Sequence, residues 1–426
     1  MDYKRIRTIF PDHLGLARGK YLPARLAENG TKHCITTFSV TYDRGLIPAE
    51  GGMLLEGLPD VDFHYDPKNV KPSWEADTGI VVGDLSYRGN LLEVAPRTVL
   101  RKAIDDWKAL GYSVKVGIEL EAFVLQPDGK GGWQAWDTPS AYVYGTGPAA
   151  DPVGLMTDIM DAADEAGLPY ESINSEFDSP QFELTLEYGD ALQAVDNILL
   201  FKLLAREMAA EHGLLLTFMG KPLADRGGSG LHVNFSLVDD NGKNALHSAD
   251  DEHELSKLAY ECIAGLLHHH RGMSALCAST VNAYKRLQPA ALAGYWANWG
   301  IDHRGTTVRV PYRAGQATRI EHRLSDGAAN PYLATAAVLQ AALLGRKNNL
   351  TPPPSEELDC LESQSTDVHT PNTLSEALNE LEADTELTAA VGEAAVANLV
   401  AHKREEWDKF MGAITDWELN YYLPYL

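Results

Sequence analysis

VKVGIELEAFVL, residues 114–125, reads as a strand whose two carboxylates, Glu119 and Glu121, lie two residues apart and so share one face. The same spacing recurs three more times. In SEFDSPQFELTLEY (175–188), Gln181, Glu183, Thr185 and Glu187 share a face, with Glu176 just upstream. In GLHVNFSL (230–237) His232, Asn234 and Ser236 do so, and in RIEHRLS (319–325) Arg319, Glu321 and Arg323. The intervening positions are partly apolar (Ile118, Leu120, Phe182, Leu184, Leu231, Val233, Phe235), which puts a core behind these strands and an acid-lined face in front. One such strand is most simply half exposed to water. Four of them, concentrating Glu, His and Arg with few Lys, point instead to a site. A sheet face with that many carboxylates needs neutralising, and divalent cations held by oxygen and imidazole ligands would do it. Arg286, Arg304, Arg309, Arg319 and Arg323 suit a grip on carboxylate or phosphate. Together these residue types suggest metal-assisted phosphoryl transfer to an acidic substrate.

Outward from these strands the pattern is α+β. RIRTIF and LARGKYLP, on either side of the turn-prone PDHLG, predict a hairpin, and GIVVGDL (79–85) a further strand. Arg97–Leu110 carries a helical stripe of Val99, Leu100, Ala103, Trp107 and Leu110. This places a boundary near residue 95, between a small β-rich front domain (1–95) and a large mixed domain (96–426). Helices are expected at about 153–166, 190–212, 253–271, 330–346 and 373–400, with strands at LLLTFMG and TTVRVP among them. Leu350–Asn372 is expected as a surface loop, followed by a capping box of Thr373 and Glu376.

Composition narrows the function classes. In 426 residues, 36 Lys and Arg face 60 Asp and Glu, a net charge of −24 that disfavours nucleic acid and anionic membranes as partners. Four scattered cysteines without a CxxC fit a reducing cytosol, and no apolar run reaches the length of a membrane span. The P-loop, dinucleotide-binding, zincin and nucleophile-elbow motifs are all missing. His268–His270 cannot converge on one ligand, because consecutive helical residues splay around the axis.

GIELEAF, SEFDSPQFE, FMGKPL with GGSGLHVNFSL, VNAYKRLQP, RGTTVRVP and RIEHRLSDGAANPYL, in this order, resemble the glutamine synthetase superfamily from about residue 95 onward. The front domain is similar in outline to the family's β-grasp domain. The resemblance implies one metal on Glu121, Glu176 and Glu183 and a second on Glu119, His232 and Glu321, either Mg²⁺ or Mn²⁺. It implies that Arg286, Arg323, His232 and the backbone of Gly228 hold glutamate. Arg304, Arg309, Ser236 and Asn234 would hold ATP, with Arg304, Arg286 and Glu321 as the catalytic set. The implied chemistry is phosphorylation of the glutamate γ-carboxylate by ATP, then displacement of phosphate by an amine.

Departures gather around the nitrogen-donor pocket. Leu292 stands at the flap position where the family carries a Glu, and the front-domain acidic segment is absent, with Asp43 of TTFSVTYDRG the nearest offer. Gly227 replaces the usual Asn, Asn234 a His, and Gln316 a Lys, while CLESQS occupies the region of the regulatory tyrosine loop. The expected activity is therefore a γ-glutamylamide synthetase using an organic amine, ahead of an ammonia-dependent synthetase and of an inactive structural member. The resemblance also implies a cytoplasmic homo-oligomer, a dodecamer of two stacked hexamers.

Overall fold

The computed structural model describes residues 3–312, 315–357 and 365–426. Most of CLESQS lies outside them.

The expected hairpin forms from Arg5–Pro11 and Ala17–Pro23, antiparallel from Arg5 opposite Pro23 to Pro11 opposite Ala17. Asp12 closes its turn, Oδ1 accepting from Leu14 N and Leu16 N at 2.9 Å. This hairpin belongs to a four-stranded sheet with Thr78–Val82 and Lys71–Pro72. A second four-stranded sheet runs Thr31–Cys34, Asp60–His64, Asp84–Tyr87, Asn90–Leu91. GIVVGDL, expected as one strand, passes from the first sheet to the second at Gly83. Gly83 donates its N–H to Ile9 O at 2.9 Å, and a Cβ there would meet the Phe63 ring and His64 O. Only a glycine lets the chain cross so close to the neighbouring strand.

The helix after the boundary spans Pro96–Lys108 and buries Val99, Leu100, Ala103 and Trp107. Leu110, expected on the same stripe, lies beyond the helix and is 43% exposed.

The third sheet has ten strands built on Ser113–Pro127, 15 residues long. The order along it is Tyr170–Ser175, Gln181–Leu186, Ser113–Pro127, Leu231–Val238, Ile320–His322, Val308–Val310 and Trp299–Ile301. All neighbours on this path are antiparallel except the last pair. The short strands Trp133–Ala135, Gly189–Asp190 and Leu215–Thr217 also pair with the long one. Helices Ala191–Glu211 and Pro331–Lys347 belong to the apolar core that includes Val116, Ile118 and Leu120 of the long strand.

Two expected helices are broken. The 253–271 segment becomes Lys257–His268 and His270–Cys277, interrupted at His269. His269 Nδ1 pairs with Asp384 Oδ2 at 2.7 Å and His270 Nε2 with Thr370 Oγ1 at 2.9 Å, so the two rings serve different partners. The 373–400 segment becomes Leu374–Ala383, Thr385–Val391 and Glu393–Gly412. Asp384 caps the second, accepting from Leu387 N at 3.1 Å, and Gly392 at φ 135° separates the second from the third. The expected capping box is only half made. Thr373 Oγ1 accepts from Glu376 N, but Glu376 Oε2 accepts from Asn372 N, one residue early. No helix among the described residues is long and apolar enough to cross a membrane.

Candidate active site

Strand register assembles the site. Antiparallel pairing sets Glu183 directly opposite Glu121, and His232 directly opposite Glu119. Asn234 faces Glu321, and Arg309 faces Glu321 from the other side. Opposed residues project from the same face, so five strands aim their polar side chains into one space. Glu176 joins from the turn before its strand, its N–H bonded to Gln181 O at 2.9 Å.

The six acidic and imidazole groups sort into two triads. Ligand atoms of Glu119, His232 and Glu321 lie within 4.8 Å of one another, and so do those of Glu121, Glu176 and Glu183. His232 Nδ1 is 3.4 Å from Glu119 Oε2 and 3.5 Å from Glu321 Oε1, and its Nε2 is 3.8 Å from Glu121 Oε1. That is the same partition expected above for the two metals.

The charge balance differs between the triads. Glu321, fully buried, is bracketed by Arg323 Nη1 at 2.5 Å and Arg309 Nη1 at 2.9 Å. Burial opposes the charge on Glu119, but bonding to His232, with Arg323 and Asn234 nearby, holds its carboxyl down to about 2. Among the described residues, no Arg or Lys pairs with the second triad. Burial, then the charges of Glu119, Glu176 and Glu121, push Glu183 up to about 8, and burial with Glu121 raises Glu176. Crowded carboxylates short of positive charge are the environment a divalent cation relieves. An oxygen-rich set with one imidazole suits Mg²⁺ or Mn²⁺. These residues could hold two such ions.

Supporting contacts orient the ligands. Gln181 Nε2 donates to Glu121 Oε2 and to Gly228 O, both at 2.9 Å, and Gly230 N donates to Glu121 Oε2 at 2.7 Å. A Cβ on Gly230 would lie 2.7 Å from His232 Nε2, 3.0 Å from Arg286 Nη2 and 3.2 Å from Glu121 Oε1. Gly230 is therefore what allows those three side chains to meet. Gln181 stood on the expected face without a role, and Gly230 gave no signal beyond its place in a glycine run.

Arg286 is buried and spends its guanidinium on backbone, donating to Leu324 O at 2.9 Å and Arg323 O at 3.4 Å. Burial lowers its pKa. Its side chain packs against Gly228, which has no room for a Cβ. Arg286, Arg323 and Gly228 are thus brought together beside the triads. A cavity of about 820 Å³ is lined by Glu119, Glu176, Glu183, Asn234, Ser236, Arg304 and Arg309 among others, and Arg286, Arg323 and Gly228 are not part of that lining. Arg309 Nη2 also pairs with Asp302, and Asn234 bridges Glu119 (3.1 Å) to Arg319 (3.0 Å). Gln316 ties the adjoining loop, accepting from Asn244 N at 2.8 Å. Leu292 lies outside that lining, 41% exposed with φ 52°. Its loop is moored nearby, where Gly294 packs against the backbone of Leu324. Asp43 is paired with Lys409 at 2.8 Å, on the helix Glu393–Gly412 of its own chain.

A catalytic-domain model for glutamine synthetase matches residues 93–422. The chain belongs to the glutamine synthetase family. It is 39% identical to the glutamine synthetase of Clostridium saccharobutylicum over 341 residues, 79% of this chain and 77% of that one. To the enzyme of Methanosarcina mazei it is 33% identical over 100% of this chain and 96% of that one. Among solved structures, ligand-free GmaS superposes with a TM-score of 0.86 at 31% identity, covering 99% of this chain and 97% of the other. A GmaS complex with ADP gives 0.87 at 30%, with the same coverage. The α+β architecture is that of the family, and the protein is an ATP-dependent ligase. Members of the glutamine synthetase family use ATP and divalent metal ions, bind glutamate and are generally oligomeric.

Proposed function

We propose that this ligase joins L-glutamate to an organic amine, forming a γ-glutamylamide, ADP and phosphate. The observation that carries the ligase chemistry is the pair of triads, with buried Arg286 and Arg323 beside them and a cavity lined by Glu119, Glu176, Glu183, Arg304 and Arg309 next to them. In this reading Arg304 and Arg309, with Ser236 and Asn234, hold the ATP phosphates at the cavity. Arg286 and Arg323, with His232 and the backbone of Gly228, hold glutamate so that its γ-carboxylate meets the terminal phosphate in line. The Arg side chains meet the charge that spreads over the transferring phosphoryl group. Bound Mg²⁺ or Mn²⁺ on the two triads would supply Lewis-acid stabilisation of that same charge. The amine then attacks the acyl phosphate and phosphate leaves.

Two features support an organic amine. Leu292 offers apolar surface and no charge at the flap position, and the GmaS structures, gamma-glutamylmethylamide synthetase, support γ-glutamylamide synthesis. The sequence relatives named glutamine synthetase favour ammonia as the second reading. Phosphate release with ATP, glutamate and a panel of alkyl- and arylamines, ammonium included, decides between them. An amine with an apolar substituent is expected to exceed ammonium in kcat/KM; ammonium as the best acceptor would replace the amine reading with the second.

We further propose a division of the chain at residue 95, a cytoplasmic location, and assembly into a dodecamer of two stacked hexamers. Light scattering on active protein tests the last, and an active monomer would refute it.

A further inference from the structure

An alkylamine presents the protein with a cation. A primary amine of lysine-like basicity is protonated at neutral pH, and a site that receives it needs an anion not already committed. The flap carboxylate is absent at Leu292, and Asp43 is committed to Lys409. The triad carboxylates are claimed by the metals in the reading above, on which this inference rests.

One carboxylate beside them is differently placed. Asp178 lies in the short loop that joins Glu176 to Glu183, with its carbonyl accepting from Gln181 N at 2.9 Å. Its Oδ2 accepts from Gly227 N. A Cβ on Gly227 would lie 2.9 Å from that same oxygen and 3.6 Å from Gln181 Oε1. The missing side chain at Gly227 is therefore the space that the Asp178 carboxylate fills. The neighbouring cation does not neutralise it. Arg226 turns away, donating to Ser179 O at 2.8 Å and to Asp137 Oδ2 at 3.3 Å. Among the described residues Asp178 forms no ion pair, and its Oδ1 accepts no hydrogen bond. Gly227 leads directly into Gly228, which packs on Arg286, and Asp178 is not among the residues that line the cavity with Arg304.

We propose that Asp178 is the carboxylate that binds the primary ammonium group of a substrate. Two substrates carry that group, the acceptor amine and the α-ammonium of glutamate, and one charge-assisted hydrogen bond would serve either. The proposed role is recognition of the cation; removal of its proton is not asked of Asp178.

Hydroxylamine separates the possibilities, because it is uncharged at neutral pH and attacks the same acyl phosphate. The test compares wild type with Asp178→Asn, which keeps the shape and the contact to Gly227 while removing the charge. At saturating ATP, glutamate and Mg²⁺, kcat/KM is measured for methylamine and for hydroxylamine in both proteins. A fall of about ten- to a hundred-fold in the methylamine-to-hydroxylamine ratio, as expected for losing one charged partner, assigns Asp178 to the acceptor. An unchanged ratio with a comparable rise in KM for glutamate in the hydroxylamine reaction assigns it to the α-ammonium. If neither parameter moves by more than two-fold or so, the proposal is overturned. Asp178→Glu, which keeps the charge, should restore part of whichever parameter moved, and a loss of both reactions alike in both variants would mark a purely structural role and overturn it too. Failure of the wild type to form any γ-glutamyl hydroxamate would instead strike the ligase reading itself.

Discussion

Glu321 is fully buried between Arg309 and Arg323 and contributes to one triad, so in the proposed reading its carboxylate has two kinds of partner. Glu321→Ala would strand Arg323 in the interior and remove a proposed metal ligand. Breaking a buried ion pair costs about 3–5 kcal/mol, so both lower stability and loss of ATP turnover are expected. Near-wild-type turnover with unchanged metal content would show that the residue has neither role. Glu183 carries a pH signature. Its folded-state pKa, about 8, lies above the usual carboxylate value near 4.5. The folded chain then holds a proton that the unfolded chain releases, so stability falls as pH rises from about 4.5 to 8. Glu119, depressed to about 2, acts in a separate acid window: its contribution is present above about 4.5 and is lost as pH drops toward 2. Metal-free protein should thus lose melting temperature between pH 5 and 8, and added Mg²⁺ or Mn²⁺ should restore more of it at pH 8 than at pH 5. A metal response equal at both values would argue against the second triad as the site. At Leu292 the acceptor reading makes its own demand. A substituent burying on the order of 60–100 Å² there gains roughly 1.5–2.5 kcal/mol, and Leu292→Glu should narrow the preference for amines over ammonium accordingly. An unaltered preference ratio would remove Leu292 from the pocket.

At the scale of elements, the long strand Ser113–Pro127 organises the site and two glycines bring a pair of helices behind it into backbone contact. A Cβ on Gly345 would lie 2.7 Å from Gly265 Cα, and one on Gly265 would lie 2.7 Å from Gly345 N. Helices Lys257–His268 and Pro331–Lys347 therefore meet with no side chain between them. Gly345→Ala overpacks this crossing, and since neither side is the end of a flexible side chain, a loss of about 1–3 kcal/mol or more is expected. A thermal melt equal to wild type would show that the helices can separate freely. The site strands were legible because alternation with period two survives in a half-buried sheet. The helix breaks at His269, Asp384 and Gly392 were not. Asp384 looks like an ordinary helical acid until His269 and Leu387 N converge on it, and that convergence joins residues 115 positions apart.

For the molecule as a whole, residues 413–426 are left without cover. Trp417 is 62% exposed, Tyr421 59% and Leu426 96%, with Trp417 stacked on Tyr421 at 4.9 Å. An apolar surface of that kind marks an interaction face, in a family that is generally oligomeric. Deleting residues 413–426 should lower the mass seen by light scattering while leaving the fold's circular dichroism in place; an unchanged assembly would exclude the tail from the interface. The sequence by itself determined which residues could bear chemistry and which faces they share, because strand periodicity and residue type are local properties carried by consecutive positions. It also determined the family, through motifs held in fixed order. Only the tertiary structure decided how those faces meet. The register that opposes Glu183 to Glu121 and His232 to Glu119, the gap at Gly230, and the carboxylate of Asp178 filling the space above Gly227 each join segments that are distant in the chain. Such meetings follow from how strands pair and pack, and no local pattern encodes them.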